Sequence, residues 1–297
     1  MKEIRKIYEK KNEEENIDIN NCDKYLKDKK CYNCIISVFD IKKRDLFNHI
    51  PIINSYNTYY NILNDKNIIF NEEYDNEDEI KKCEVYIDNK KIPFSHFYMF
   101  NTIGKHIVIY SFKNDLKNIN HMFLLCRNLS SINLSYFNTR EVSNMSGLFY
   151  GCSSLKEINL SRFYTGKVKD MSAVFLGCSS LKEIDISNFE TNEVTEMVRM
   201  FQGCSSLTSI NLFKFPGYTF KRLNVSLMFK DCVSLKKVNL SNLDFDTTFG
   251  YECMFEGCRK DNFFNLSKSN KDFFLKYLEK LKEDGLINKG ENYINFQ

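Results

Sequence analysis

At 297 residues the chain can hold one long domain or two ordinary ones, and a hydrophobic content of 43% places it among folded proteins rather than disordered ones. Its formal net charge of +3 is small for that length, which argues against a polyanion-binding domain, so no nucleic-acid partner is expected. No stretch approaches the ~18 consecutive apolar residues of a bilayer span.

The first 20 or so residues, beginning Met-Lys-Glu-Ile-Arg-Lys-Ile-Tyr, carry charges but no apolar core of a secretory signal. This favours a cytoplasmic location, with the cell surface as the alternative. Residues 1–80 are the least legible part and are expected to be partly disordered, although Ile35–Leu63 is apolar enough to fold. Cys31-x-x-Cys34, with Cys22 nearby, is the one cluster that could hold zinc or act as a redox dithiol. Structural cysteines are the simpler reading, because a second close pair of ligands is missing. His49, His96, His106 and His121 do not cluster, and the chain has no phosphate loop, glycine-rich nucleotide fingerprint or H-E-x-x-H motif. No catalytic residue, metal site or cofactor is therefore assigned.

Residues 81–116 read as a small β cap. Cys83-Glu-Val-Tyr-Ile-Asp-Asn-Lys-Lys-Ile-Pro-Phe94 has the form strand, Asp-Asn turn, strand, and Gly104–Phe112 reads as a further strand. Such a sheet would cover the open edge of the region C-terminal to it.

Residues 117–258 form a repeat. Cys126, Cys152, Cys178, Cys204, Cys232 and Cys258 recur every 26 residues, with one spacing of 28 between Cys204 and Cys232. Phe falls three residues before each Cys, at Phe123, Phe149, Phe175, Phe201, Phe229 and Phe255. Leu falls three after, at Leu129, Leu155, Leu181, Leu207 and Leu235. One cysteine per unit at a fixed phase reads as a small buried reduced hydrophobe rather than half of a disulfide. Within each unit Leu-Lys-Glu-Ile-Asn-Leu alternates as a strand does, whereas Val142, Met145 and Phe149, like Val168, Met171 and Phe175, are spaced three and four apart as on a helix. Gly151, Gly177, Gly203 and Gly257 are placed to end that helix in the left-handed region. The expected fold is an α/β solenoid of leucine-rich-repeat-like coils, each a short helix plus a strand, with one parallel sheet. A small α+β N-terminal region precedes it, and a capping helix within residues 259–297, with Phe274, Leu278 and Leu281 on one face, closes the C-terminal end.

The unit Met145-Ser-Gly-Leu-Phe-Tyr-Gly-Cys-Ser-Ser-Leu-Lys-Glu-Ile-Asn-Leu-Ser161 resembles the BspA-like leucine-rich-repeat family, the surface protein 26-residue repeat type, nearly position by position over 144–168 and 170–194. The resemblance implies adhesion or protein–protein contact without catalysis.

On the strands, alternation turns Glu157, Asn159 and Ser161 outward together. The same phases give Ser131, Asn133 and Ser135; Glu183, Asp185 and Ser187; Ser209, Asn211 and Phe213; and Lys237, Asn239 and Ser241. Stacked, they form a face with an Asn/Asp column. Either the column holds the stack together by hydrogen bonds, or the face recognises a protein. The candidate partner-binding residues are Glu157, Asn159, Glu183, Asp185, Ser209, Asn211, Phe213, Lys237 and Asn239. The insertion Phe213–Phe220 is either a neutral loop or an aromatic contact.

The expected function is a monomeric, non-enzymatic interaction scaffold for an unidentified protein partner. The alternatives are a cell-surface adhesin, or an N-terminal zinc or enzymatic module whose substrate the repeats recruit. Asn-x-Ser glycosylation sequons at Asn128, Asn133, Asn144, Asn159, Asn224 and Asn239 read as by-products of the repeat.

Overall fold

A computed structural model describes residues 33–63, 72–212, 223–239, 248–250, 254–258 and 263–265, together with 17–19 and the single residues 26, 275 and 279. The expected C-terminal capping helix and the Phe213–Phe220 insertion lie outside the described residues, except that Leu275 and Glu279 are helical.

Six strands precede the repeats: β1 (Cys34–Ile41), β2 (His49–Pro51), β3 (Glu84–Ile87), β4 (Lys90–Ile92), β5 (Phe97–Met99) and β6 (Gly104–Ser111). Two short helices accompany them, α1 (Tyr56–Leu63) and α2 (Glu77–Ile80). Asp88 and Asn89, both in the left-handed region, form the turn from β3 to β4, as short polar side chains tolerate. The repeats contribute β7 (Leu129–Asn133), β8 (Glu157–Asn159), β9 (Glu183–Asp185), β10 (Ser209–Asn211), β11 (Leu223–Asn224), β12 (Lys237–Asn239), β13 (Thr248–Phe249) and β14 (Phe263–Asn265).

The largest sheet runs β4-β3-β6-β1-β7-β8 and is mixed: β1 pairs antiparallel with both β6 and β7, and β7 pairs parallel with β8. A separate parallel sheet runs β14-β12-β10-β9, and β11 pairs with β13. Strand β1 joins cap to repeats. Ile35, Phe39 and Ile41 face the long core shared with the repeats, while Ile36 and Val38 pack with Ile19 and Ile109 on the other side. With both faces buried, β1 has no polar alternation, and its sequence reads simply as an apolar run.

The repeats are not the helix-plus-strand solenoid that the periodicity suggests. The strands fall into separate sheets rather than one continuous ladder, since β8 ends one sheet and β9 begins another. None of the described repeat residues before position 259 is in a helix. Where a helix was expected, Met145, Gly147, Phe149 and Gly151 donate their N–H groups forward to the carbonyls of Asp170, Ser172, Val174 and Leu176 in the next unit, at 2.7–3.2 Å. The intervening N–H groups of Leu148, Tyr150 and Cys152 turn back to Met145, Gly147 and Phe149, three residues earlier. An α-helix would send every N–H back four residues.

Backbone conformation enforces this pattern. Gly147 (φ 62°) and Gly151 (φ 75°) are the third residues of two such turns, where a left-handed residue suits a type II turn. Ala173, Arg199 and Leu227 take the Gly147 place in later units with φ of 55°, 58° and 60°. A chain of alternating turns brings side chains inward three and four residues apart, so it imitates helical periodicity. The distinguishing sign is glycine in the middle of the supposed helix, where it would cost about 1 kcal/mol.

The inward side chains form continuous files. Phe123, Phe149, Phe175, Phe201, Phe229 and Phe255 stack with centroids 5.3–5.7 Å apart and planes within 5–13° of parallel. Beside them, from the second unit on, the ladder cysteine thiols donate to the carbonyl of the Phe one unit earlier: Cys152 to Phe123 at 3.0 Å, Cys178 to Phe149 at 3.2 Å, and Cys204 to Phe175 at 3.1 Å. Cys232 and Cys258 do the same with Phe201 and Phe229. A buried small residue that also donates a weak hydrogen bond to a neighbouring unit explains why cysteine serves here.

Candidate functional site

The strand face is built by register. Glu157 pairs with Ser131, and Asn159 with Asn133, across β7 and β8; Glu183, Ser209 and Lys237 align across β9, β10 and β12. Equivalent residues therefore fall into columns, interrupted between β8 and β9. Glu157, Glu183, Asp185 and Ser209 are exposed and Asn159 is half-buried. Their neighbours Lys156, Lys182 and Thr208 are exposed too. Asn211, Lys237 and Asn239 lie on β10 and β12, and Phe213 falls outside the described residues.

The first unit is different. Ser131 and Asn133 are buried, and the Asn133 amide donates to the Ile19 carbonyl at 2.7 Å. The segment around Ile19 thus covers the face at β7, and the candidate surface opens only from β8 onward.

The Asn/Asp column has a local task. Asn133 Oδ1 accepts from Ser135 N at 2.8 Å, Asn159 Oδ1 from Ser161 N at 3.0 Å, and Asp185 Oδ1 from Ser187 N at 3.0 Å. These side-chain turns end each strand. A second file repeats the device at the other corner of the unit: Asn144, Asp170 and Asn224 accept from Ser146, Ser172 and Ser226. An acceptor at one residue and a backbone N–H two residues on, usually with Ser there, is the origin of the recurrent Asn-x-Ser sequence. Asn133 and Asn144 are buried, and the Asn128 amide donates to Asp45, so these three are engaged inside the folded chain.

The second file is also electrostatically loaded. Asn118, Asn144, Asp170, Glu196 and Asn224 stand in successive parallel bridges. Burial raises the Asp170 carboxyl against two hydrogen bonds from Ser172 that lower it. Burial likewise raises Glu196, with Asp170 adding to the rise and a hydrogen bond with Asn224 opposing it.

Around the cap, Glu77 gathers Ser55, Lys81 (2.9 Å) and His96 (3.0 Å). Burial alone would raise its carboxyl, but the hydrogen bonds from these three outweigh that, and it is lowered. Ser55 is fully buried and also accepts from Thr58 N at the start of α1, so this cluster reads as a clasp between α1, α2 and β5 rather than as a nucleophile with its base. His121 is buried beneath Tyr59, with ring centroids 3.9 Å apart, and burial pushes its pKa down to about 3.

Cys34 is disulfide-bonded, and its partner lies outside the described residues, as do Cys22 and Cys31. A sulfur in a disulfide is not a thiolate ligand, which weakens the zinc reading of Cys31-x-x-Cys34. Among the described residues no group of three or more His, Cys, Asp and Glu is arranged to hold a metal ion. No helix among them is long and apolar enough to cross a membrane. The described thiols of the repeats, Cys126, Cys152, Cys178, Cys204, Cys232 and Cys258, are raised by burial and held protonated, Cys258 to about 12.

Residues 117–219 match a family described as Mycoplasma protein of unknown function, DUF285. That stretch begins where the turn stack begins and covers about a third of the chain. No curated protein and no solved structure matches the sequence.

Proposed function

We propose that the chain is a non-enzymatic interaction module that recognises a protein through the exposed strand face from β8 onward. The observation that carries this reading is the trio Glu157, Glu183 and Ser209, at one phase of three successive units. These positions are exposed, carry a carboxylate at Glu157 and Glu183 but none at Ser209, and stand on strands whose inward residues barely change. Positions freed from packing and varied in charge are suited to partner selection. The resemblance to BspA-like repeats supports the same reading.

The test is capture of partners by the full chain and by a Glu157→Ala/Glu183→Ala/Lys237→Ala variant, with thermal melting as the check on folding. A reproducible partner lost in a variant that melts normally supports the face. A partner retained at full strength sinks it.

The second reading, a cell-surface adhesin, is favoured by the Cys34 disulfide, because disulfides persist mainly in oxidising compartments. Fractionation of the full-length protein separates the two: a cytosolic pool supports the scaffold, and surface exposure to added protease supports the adhesin.

A further inference from the structure

In the cap, β2 and β5 pair antiparallel with His49 opposite Met99 and Pro51 opposite Phe97. Ile50 is buried in the core and Tyr98 packs against it, so Phe97 and Met99 occupy the outer face, 43% and 45% exposed. Phe47 lies beside them, its N–H donating to the Phe100 carbonyl, and is 62% exposed. It also holds a left-handed backbone (φ 62°), unusual for a bulky side chain. Strain at an exposed aromatic brings no packing in return and points to function outside the fold.

The surroundings are basic. Lys42, Lys43 and Arg44 lead into Phe47 and are exposed, as is Lys105 at the start of β6, opposite Asp40 of β1. Two acids stand among them: Asp45, which accepts from Asn128 and from the Lys42 backbone and lies 3.8 Å from Arg44, and Asp40, which pairs with Lys42 at 2.6 Å, so the four basic residues outnumber them.

We propose that this end of the cap docks peripherally on an anionic membrane surface, with Phe47, Phe97 and Met99 entering the interface and Lys43, Arg44 and Lys105 meeting the headgroups. Aromatic and thioether side chains beside Lys and Arg suit the boundary between acyl chains and acidic headgroups. A second copy of the chain fits less well, because self-pairing would bring the same basic residues together.

The test is flotation of the full chain with phosphatidylcholine–phosphatidylserine vesicles and with pure phosphatidylcholine vesicles, at low and high salt. Binding is expected on the anionic vesicles and should weaken with salt. Phe47→Ser/Phe97→Ser should weaken it by about tenfold or more. Lys43→Glu/Arg44→Glu should weaken it by at least about fivefold for each residue changed. Val233→Ser, at a 45%-exposed apolar position in the repeats, should leave it unchanged, and all variants should melt like the parent. Absence of binding to anionic vesicles would overturn the proposal, as would binding indifferent to Phe47→Ser/Phe97→Ser. A dimer in solution that this double variant converts to monomer would assign the patch to self-association instead.

Discussion

The cap and the repeats use β pairing in opposite ways. In the cap, strands distant in sequence converge: β1 lies between β6, some 70 residues later, and β7, which begins the repeats. In the repeats, each unit bonds to the next, some 26 residues on, through turns whose N–H groups point forward. The cap is therefore a single knot of long-range contacts, whereas the stack distributes its cohesion over equivalent junctions. A lesion in the stack should be felt by adjacent units; a lesion in β1 should be felt everywhere.

The largest effects should test that contrast. Phe39→Ala in β1 and Phe175→Ala in the ring file each remove a fully buried ring and should cost roughly 3–5 kcal/mol. Hydrogen exchange should then separate them. Phe39→Ala should raise exchange through β6, β1 and β7 together, while Phe175→Ala should raise it chiefly in the units carrying Phe149 and Phe201. Uniform loss of protection in both variants would mean that the chain behaves as one cooperative unit.

Acid should act first at the junction of the two regions. His121 has a folded pKa near 3 against an unperturbed 6.5, so the unfolded chain takes up the proton first. Its contribution is fully present above about pH 6.5 and falls by up to about 1.4 kcal/mol per pH unit toward pH 3. His121 has a left-handed backbone (φ 57°), and His121→Asn keeps a residue that tolerates it and does not titrate there. Denaturant melts between pH 7 and 4.5 should show a smaller loss for this variant than for the parent; equal losses would place the acid sensitivity elsewhere.

Glycine substitutions sharpen the comparison within the stack. A methyl group at Gly151 would lie 2.5 Å from the Leu125 side chain, whereas one at Gly177 would meet only the Gly151 backbone at 3.7 Å. Both positions are left-handed. Gly177→Ala should therefore cost about 1 kcal/mol of conformational strain alone, and Gly151→Ala more than that, about 2 kcal/mol, as the Leu125 side chain must also turn aside. Thermal melting of the two variants side by side gives the ranking.

These regions also differ in how far their sequences disclose them. The inward files of Phe, Cys and Leu are legible because duplication prints each buried position several times. The Asp88-Asn89 turn is legible because its residues suit its backbone. The turn stack reads falsely as helix because alternating turns give the same inward spacing at Val142, Met145 and Phe149; direction of hydrogen bonding leaves no mark on apolar periodicity. The role of β1 is hidden by its burial on both faces, and coverage of Asn133 by Ile19 is hidden by the 114 residues between them. At the strand face, alternation places Glu157 and Glu183 outward, but the strand-ending task of Asn159 and Asp185 emerges only when the Asn-x-Ser pattern is read as a turn.

The smallest effect concerns the second Asn/Asp file. Asp170 stands between Asn144 and Glu196, raised chiefly by burial, and its acceptor oxygen serves the Ser172 N–H as Asn144 serves Ser146. Asn at this position can make the same hydrogen bond without carrying a charge beside Glu196. Because the folded carboxyl titrates above its ordinary value, Asp170 is tolerated fully below about pH 3.8 and becomes unfavourable as pH rises through the folded value. Asp170→Asn should thus stabilise the chain at neutral pH by up to about 1 kcal/mol, with the gain disappearing in acid, opposite in direction to the His121 effect. A pH series of melts comparing parent and variant gives the sign. A gain independent of pH would show that packing rather than ionisation separates the two side chains, and a loss at neutral pH would mean that the carboxylate has a partner of its own.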